Sequence, residues 1–177
     1  AGWKTLTPVQ AKSIPYFLAG RDMMVQSRTG SGKTGAYILP ILQTINAQQN
    51  AAQALVLVPT RELPLQVSRE AQMLTQGTNV RIAVVYGGVG YHAQLEAFRG
   101  GAQIVVGTPG RILDHLLKNT LSLDHLKILI FDEADRMLSM GFYPDMVKIR
   151  KYIPSNKILS SMFSATFPPQ VIRLADQ

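Results

Sequence analysis

Short apolar runs alternate with amphipathic stretches along almost the whole chain, and this alternation predicts strands and helices in turn. Met23-Met24-Val25-Gln26 is the first apolar run. A glycine-containing turn follows it, and then Gly35 to Ile45, where Ala36, Ile38, Leu39, Leu42 and Ile45 recur at helical spacing. Pro40 inside that stretch predicts a kink or an early end, because proline lacks the N–H that a helix interior uses. Leu55-Val56-Leu57-Val58 reads as a buried strand closed by Pro59, and Glu62 to Thr75 as the next helix. Pro64 falls in its first turn, where the missing donor costs little. Val80 to Tyr86 predicts a strand, Ala93 to Phe98 a helix, Ile104 to Val106 a strand and Pro109 to Leu117 a helix. Ile128 to Phe131 and Lys157 to Met162 supply two more strands, and Pro168 starts a terminal helix. Strands alternating with helices predict an α/β fold, a mainly parallel sheet with helices on both faces. Ligands of such sheets gather at the carboxyl ends of the strands, so the residues after each strand are where chemistry is expected.

Two of those ends carry complementary chemistry. After the first strand comes Ser27-Arg28-Thr29-Gly30-Ser31-Gly32-Lys33-Thr34. Its glycines allow backbone N–H groups to converge on phosphate oxygens at a helix start, Lys33 adds a full positive charge, and the Thr34 hydroxyl can ligate magnesium. An ordinary strand-to-helix turn is the plain alternative, but it would not need the complete Gly-Lys-Thr ending. Arg28 within this loop is expected to be exposed, since the backbone does the phosphate work. After Ile128 to Phe131 comes Asp132-Glu133-Ala134-Asp135. Asp132, ending a buried strand, suits a water-mediated magnesium contact, and Glu133 is placed to orient or deprotonate an attacking water. Helix capping by the acidic pair is the alternative. Together the two motifs predict hydrolysis of a nucleoside triphosphate with Mg2+, with Glu133, Lys33 and Asp132 carrying the chemistry and Thr34 and Asp132 holding the metal.

Composition narrows the setting. At 177 residues and 46% hydrophobic, the chain suits one domain with a sizeable core. No run approaches the ~18 apolar residues of a membrane span, so no membrane partner is expected. No signal peptide opens the chain, and the start at Ala1-Gly2-Trp3 is read as a cut in a longer protein, from which a targeting segment could have been removed. Having no cysteine excludes disulfides and thiolate metal sites. It is compatible with an intracellular setting, expected to be cytoplasmic, or nuclear in a eukaryote. A net charge of +7 is consistent with a polyanion partner, although the bases are dispersed. His92, His115 and His125 lack metal-ligand spacing and read as surface or structural residues. Lys148, Arg150, Lys151 and Lys157 read as a solvated helix face. The methionines, Met137, Met140 and Met162 among them, read as core filler.

Further short motifs occur in a fixed order: Gly2-Trp3-Lys4-Thr5-Leu6-Thr7-Pro8-Val9-Gln10, Pro59-Thr60-Arg61-Glu62-Leu63, Gly87-Gly88, Thr108-Pro109-Gly110-Arg111 and Ser164-Ala165-Thr166. With the phosphate loop and Asp132 to Asp135, they make the chain resemble, over essentially its whole length, the N-terminal RecA-like domain of DEAD-box ATP-dependent RNA helicases. The resemblance implies a RecA-like P-loop fold over residues 1–177 and ATP as the nucleotide. It implies that Gln10 reads the adenine edge, assisted by the backbone near Trp3 and Lys4 and by the Thr7 region. A carboxamide both donates and accepts, which suits that base. The nucleotide would be held by Gln10 and by Ser27, Arg28, Thr29, Gly30, Ser31, Gly32, Lys33 and Thr34. Thr60, Arg61, Gly88, Thr108, Gly110 and Arg111 would touch the RNA sugar-phosphate backbone, which fixes position without reading sequence. Ser164 and Thr166 would couple nucleotide to RNA by hydrogen bonds to Asp132 and Asp135.

Five departures accompany the resemblance. Ser27 stands where the family has Gly or Ala, Leu6 where it has Pro, and Pro64 where it has Ala. The family's upstream aromatic residue would lie before Ala1. The family's second RecA-like domain, which carries the arginine fingers, would follow Gln177. An arginine finger can be worth about 10³–10⁵ in rate, so the 177 residues alone are expected to bind ATP weakly, to bind RNA poorly and to turn over almost no ATP. Two rivals remain on sequence grounds. A DNA-directed translocating helicase shares the phosphate loop but not Gln10 or Ala134-Asp135. A non-enzymatic RNA clamp would not need Lys33, Asp132 and Glu133 together.

Overall fold

The computed structural model describes residues 4–176. It contains strands β1 (Met23–Gln26), β2 (Ala54–Leu57), β3 (Ile82–Val85), β4 (Ile104–Gly107), β5 (Ile128–Asp132) and β6 (Leu159–Ser164). The helices are α1 (Pro8–Leu18), α2 (Lys33–Thr44), α3 (Glu62–Thr75), α4 (His92–Arg99), α5 (Pro109–Leu117), α6 (Ala134–Ser139), α7 (Tyr143–Arg150) and α8 (Pro169–Ala175). The strands form one six-stranded sheet in the order β1-β6-β5-β2-β4-β3, and every pair is parallel. This is the α/β architecture that the alternation predicts. β2 and β4 are buried at all four positions, because both faces of their sheet are covered, so they read as unbroken apolar runs.

Alternate side chains feed two cores. Ala54, Val56, Val58, Ile104, Val106, Ile128 and Ile130 face α1, α2 and α3, packing with Phe17, Tyr37, Ile38, Ile41 and Val67. Leu55, Leu57, Ala83, Val85, Val105 and Leu129 face the other way, against Ile112, Leu116, Met137, Met146 and Ile149. Each buried aliphatic side chain contributes about 1.5–3 kcal/mol through the water it sheds. Pro40 lies within α2 and Pro64 in the first turn of α3, and both helices continue past them.

Three helices have no counterpart in the sequence prediction: α1, α6 and α7. α1 begins in the glutamine-containing motif. Thr7 caps it, and the Gln10 carboxamide returns to the Thr7 N–H, completing a capping box. α6 and α7 are short, at six and eight residues, and each begins next to a turn that interrupts the helical period. The last strand runs two residues later than predicted, because Leu159 to Ser164 aligns in register with both β5 and β1. Lys148, Arg150, Lys151 and Lys157 are exposed. Met137 and Met162 are in the cores, but Met140, Met24 and Met73 are exposed by 44–50% and do not fill space.

Candidate functional site

Topology gathers the nucleotide motifs. β6 lies between β1 and β5, so Ser164-Ala165-Thr166 stands between the phosphate loop and Asp132 to Asp135. Ser27 N–H donates to the Ser164 carbonyl at 3.0 Å, joining the loop to that strand. Gly30 and Gly32 hold φ of 78° and 84°, a left-handed backbone that only glycine adopts without strain. Arg28, Thr29 and Gly30 are exposed, while Lys33 and Thr34 are buried at the start of α2.

Lys33 reaches across to both carboxylates. Its Nζ lies 3.0 Å from Asp132 Oδ1 and 3.5 Å from Glu133 Oε1. Oδ1 nevertheless has no aligned hydrogen bond, so the ammonium holds it by charge and not by direction. Asp132 Oδ2 accepts from the Tyr37 hydroxyl at 2.8 Å. Burial pushes the Asp132 carboxyl above the usual range, and Lys33 and then Tyr37 offset this only in part. Burial, reinforced by the Asp132 charge, pushes the Tyr37 phenol well up, so it stays a protonated donor. Glu133 takes φ 58° and ψ 52°, strained for a residue with a Cβ, and this turn opens α6. Its second carboxylate oxygen lies 3.4 Å from Arg136.

The loop is built for an anion and a cation that neutralises it. Among the described residues four buried side-chain polar atoms lack a hydrogen-bond partner, and three belong to these motifs: Ser27 Oγ, Ser31 Oγ and Asp132 Oδ1. Buried polar atoms of this kind are rare unless a ligand completes them. A triphosphate over the loop, with a divalent cation held by Thr34 and Asp132, fits that donor and acceptor set. No cluster of three His, Asp or Glu occurs among the described residues, and magnesium needs none, since it takes one or two carboxylates beside substrate oxygens.

Gln10 is 2% exposed. Its Nε2 donates to the Gly32 carbonyl at 3.0 Å and its Oε1 accepts from Thr7 N–H at 3.0 Å. One amide hydrogen and one lone pair remain unused, the number an adenine edge would take. Trp3 lies outside the described residues. A cavity of about 860 Å³ opens beside this motif, lined by Lys12, Tyr16, Met24, Val25, Arg28 and their neighbours.

Asp135 is the hub that joins α6 to Ser164 and Thr166. Its Oδ2 accepts from the Thr166 hydroxyl at 2.7 Å and from Thr166 N–H at 3.1 Å, while its own N–H donates to Ser164 Oγ at 3.2 Å. Burial would raise this carboxyl, yet the bonds from Thr166 and Ser164 outweigh it and hold it low. The expected bonds from Ser164 and Thr166 to Asp132 are not made. Ser164 instead donates to the Thr166 carbonyl at 2.7 Å, and Asp132 is taken by Tyr37 and Lys33.

The second group of motifs assembles on the other half of the sheet, after β2, β4 and β3. An open groove of about 590 Å³ is lined by Thr60, Arg61, Gly87, Thr108, Gly110 and Arg111, with Met140 and Phe142 completing it. Gly88 holds φ 82°, and a Cβ there would come within 2.3 Å of Arg61 Nη1, so the guanidinium rests directly on the glycine backbone. Arg111 donates to the Val89 carbonyl at 3.0 Å and to Gln94 Oε1 at 3.4 Å. Gln94 also takes His115 Nε2 at 2.7 Å and donates to the Tyr86 carbonyl at 3.0 Å. His115 is therefore a buried structural residue, and His92 and His125 are exposed, as their spacing predicts.

Sequence reasoning missed Tyr37, Gln94 and Tyr91. For Tyr37 a signal existed: it stands four residues after Lys33, on the same helix face. Gln94 and Tyr91 gave no such signal, since only the fold brings α4 against α5.

A sequence profile of the DEAD/DEAH box helicase family matches residues 7–174. The chain is 45% identical over 176 residues to the ATP-dependent RNA helicase CshA of Listeria monocytogenes, covering 99% of this chain and 34% of that protein. It is 42% identical to CshA of Limosilactobacillus reuteri, covering 100% of this chain and 35% of that one. The chain thus spans about a third of the length of these curated relatives. Among solved structures, a DEAD box protein from Methanococcus jannaschii superposes with a TM-score of 0.92 at 42% identity, over 97% of this chain and 47% of that one. A hypothetical ATP-dependent RNA helicase from Sulfolobus tokodaii gives 0.89 at 40% identity, over 99% of this chain and 50% of that one. Motif order, parallel topology and these likenesses agree: the chain belongs to the DEAD/DEAH box helicase family.

Proposed function

We propose that these residues form the ATP-binding half of an ATP-dependent RNA helicase, which couples Mg-ATP binding and hydrolysis to duplex unwinding or ribonucleoprotein remodelling. The observation that carries this is α6. Glu133 immediately precedes it, beside the phosphate loop, and Met140 and Phe142, in the turn that follows it, line the second groove. One short strut therefore touches the hydrolytic carboxylates at one end and the polyanion groove at the other.

In this reading the loop amides, Lys33 and the Ser27 and Ser31 hydroxyls bind and orient the triphosphate, and Gln10 selects adenine. Bound magnesium supplies charge neutralisation on the phosphoryl oxygens, with Thr34 and Asp132 as the residues that hold it. Tyr37 keeps the Asp132 carboxylate turned toward the loop. Lys33 must leave Glu133 for the phosphates, which frees that carboxylate to position and deprotonate water. Asp135, through Thr166 and Ser164, ties the result to β6. Thr60, Arg61, Gly88, Thr108, Gly110 and Arg111 grip the RNA backbone. A second RecA-like domain would close on both ligands and supply arginine fingers, and the greater length of the relatives supports it.

The test uses a protein that contains these residues together with the second domain. Glu133→Gln should retain nucleotide binding while turnover falls about 10²–10⁴-fold, the range of a lost general base. Unchanged turnover removes Glu133 from that role. RNA should stimulate hydrolysis and DNA of the same sequence should not. Equal stimulation by both defeats the RNA reading.

A further inference from the structure

Arg111 and Asp114 stand one turn apart on α5, a spacing at which opposite charges ordinarily pair. Here they do not. Among the described residues Asp114 is paired with Lys118 at 3.1 Å, and Arg111 enters no ion pair. Between them stands Tyr91, on the residue that opens α4. Its hydroxyl donates to Asp114 Oδ2. Its ring lies 4.3 Å from the Arg111 guanidinium carbon and 4.1 Å from Lys118 Nζ, both over the aromatic face. That ring is itself fixed, edge-on to His115 at 5.4 Å and 76°. His115 is held in turn by Gln94 at 2.7 Å and Thr120 at 2.8 Å.

The direct hydrogen-bond and ring partners of Arg111 among the described residues are neutral, namely the Val89 carbonyl, Gln94 Oε1 and the π face, and the Asp114 charge reaches it only through space. Those contacts orient a guanidinium without neutralising it, so its charge stays available to an anion in the groove it lines. The Tyr91 hydrogen bond, followed by Lys118, holds the Asp114 carboxyl below the usual range, so Asp114 is a full anion that needs occupying.

We propose that Tyr91 is a positioning residue for RNA-backbone binding: it occupies Asp114 and carries Arg111 on its ring, keeping that guanidinium free for a phosphate. The proposal rests on the reading of Arg111 as an RNA contact. Replacing the ring by an aliphatic side chain would let Asp114 close on Arg111 and compete with phosphate. Removing the Asp114 charge as well would undo that competition. A ring that merely packed α4 on α5 would show no such rescue.

The experiment measures binding of a protein that contains these residues together with the second domain to a fluorescein-labelled oligouridylate across a salt series. Arg111→Gln should weaken binding several-fold and lower the salt slope by about 0.7, the value of one phosphate contact on a single strand. Tyr91→Leu should lose a similar share of affinity and slope, and Tyr91→Leu/Asp114→Asn should recover most of both. Tyr91→Phe, which keeps the ring and loses the hydroxyl, should fall between and serves if the leucine variant does not fold. The Arg111 Nε–Hε proton should lose its ring-current shift in Tyr91→Leu and keep it in Tyr91→Phe. If Arg111→Gln binds like the parent, the RNA reading of Arg111 fails. If Arg111→Gln weakens binding but Tyr91→Leu does not, or if Asp114→Asn gives no rescue, the role of Tyr91 is overturned and the reading of Arg111 stands.

Discussion

The two halves of the sheet handle charge in opposite ways. On β1-β6-β5, Lys33, Thr34 and Asp132 are buried, and Asp132 is held by an ion pair with Lys33 and a hydrogen bond from Tyr37. On β2-β4-β3, Arg61 is exposed and Arg111 half-buried, each resting on backbone or ring with no ion-pair partner among the described residues. Hydrolysis needs charges in a desolvated, preorganised place, where each is worth more and must be compensated. Backbone recognition needs charges presented to solvent with their counterions ready to leave. Charge is thus buried and paired on one side and exposed and unpaired on the other.

Glycine substitutions break this comparison most sharply. Gly32→Ala would place a Cβ 2.9 Å from both Gln10 Nε2 and the Thr7 side chain at φ 84°. Left-handed strain of about 1–2 kcal/mol and disruption of the Gln10 capping box should together reduce nucleotide affinity at least ~10-fold, each 1.4 kcal/mol being about tenfold. Titration with a fluorescent ATP analogue checks it, and RNA affinity should be unmoved.

Tyr37→Phe tests the buried network. It leaves Asp132 Oδ2 without its donor, which should cost about 1–3 kcal/mol of stability, measured by urea denaturation. No loss would mean that the hydroxyl is not holding Asp132. Gly88→Ala is the milder counterpart of Gly32→Ala. Its Cβ carries the same left-handed strain at φ 82° but meets only the far end of Arg61, which can swing away. RNA affinity should fall a few-fold, about 1 kcal/mol or less, with nucleotide binding intact.

The smallest effect is a pH dependence. Burial, and then the Arg111 charge, lower the His115 pKa below the ordinary value. Between that ordinary value and the depressed one, the unfolded chain binds a proton that the folded chain refuses, so stability falls as pH drops through this window. His115→Gln should flatten that part of the stability–pH curve, read from denaturation midpoints. A parallel curve would show that another group titrates there.

Much of this was legible in advance, for definable reasons. The bounds of α3 and α5 agree with the sequence expectation because proline marks the start of one and the first turn of the other. β2 and β4 were readable because a strand buried on both faces must be apolar throughout. α1 was not, because its first turn consists of motif residues and polar side chains hide its period. α6 and α7 are too short for a period to register. Ser164 was expected to bond Asp132, but the buried Tyr37 had already taken that carboxylate.

The sequence alone determined which residues sit at strand ends, since glycine, lysine and paired carboxylates have few other uses there. It therefore specified the parallel α/β class and the two sets of strand-end residues. Only the tertiary structure decided how they are grouped. Inserting β6 between β1 and β5 makes one buried electrostatic cluster of motifs a hundred residues apart, and placing β4 between β2 and β3 makes the other, open one. Strand order is fixed by packing and crossover geometry between distant segments, a choice that no local pattern of side chains encodes.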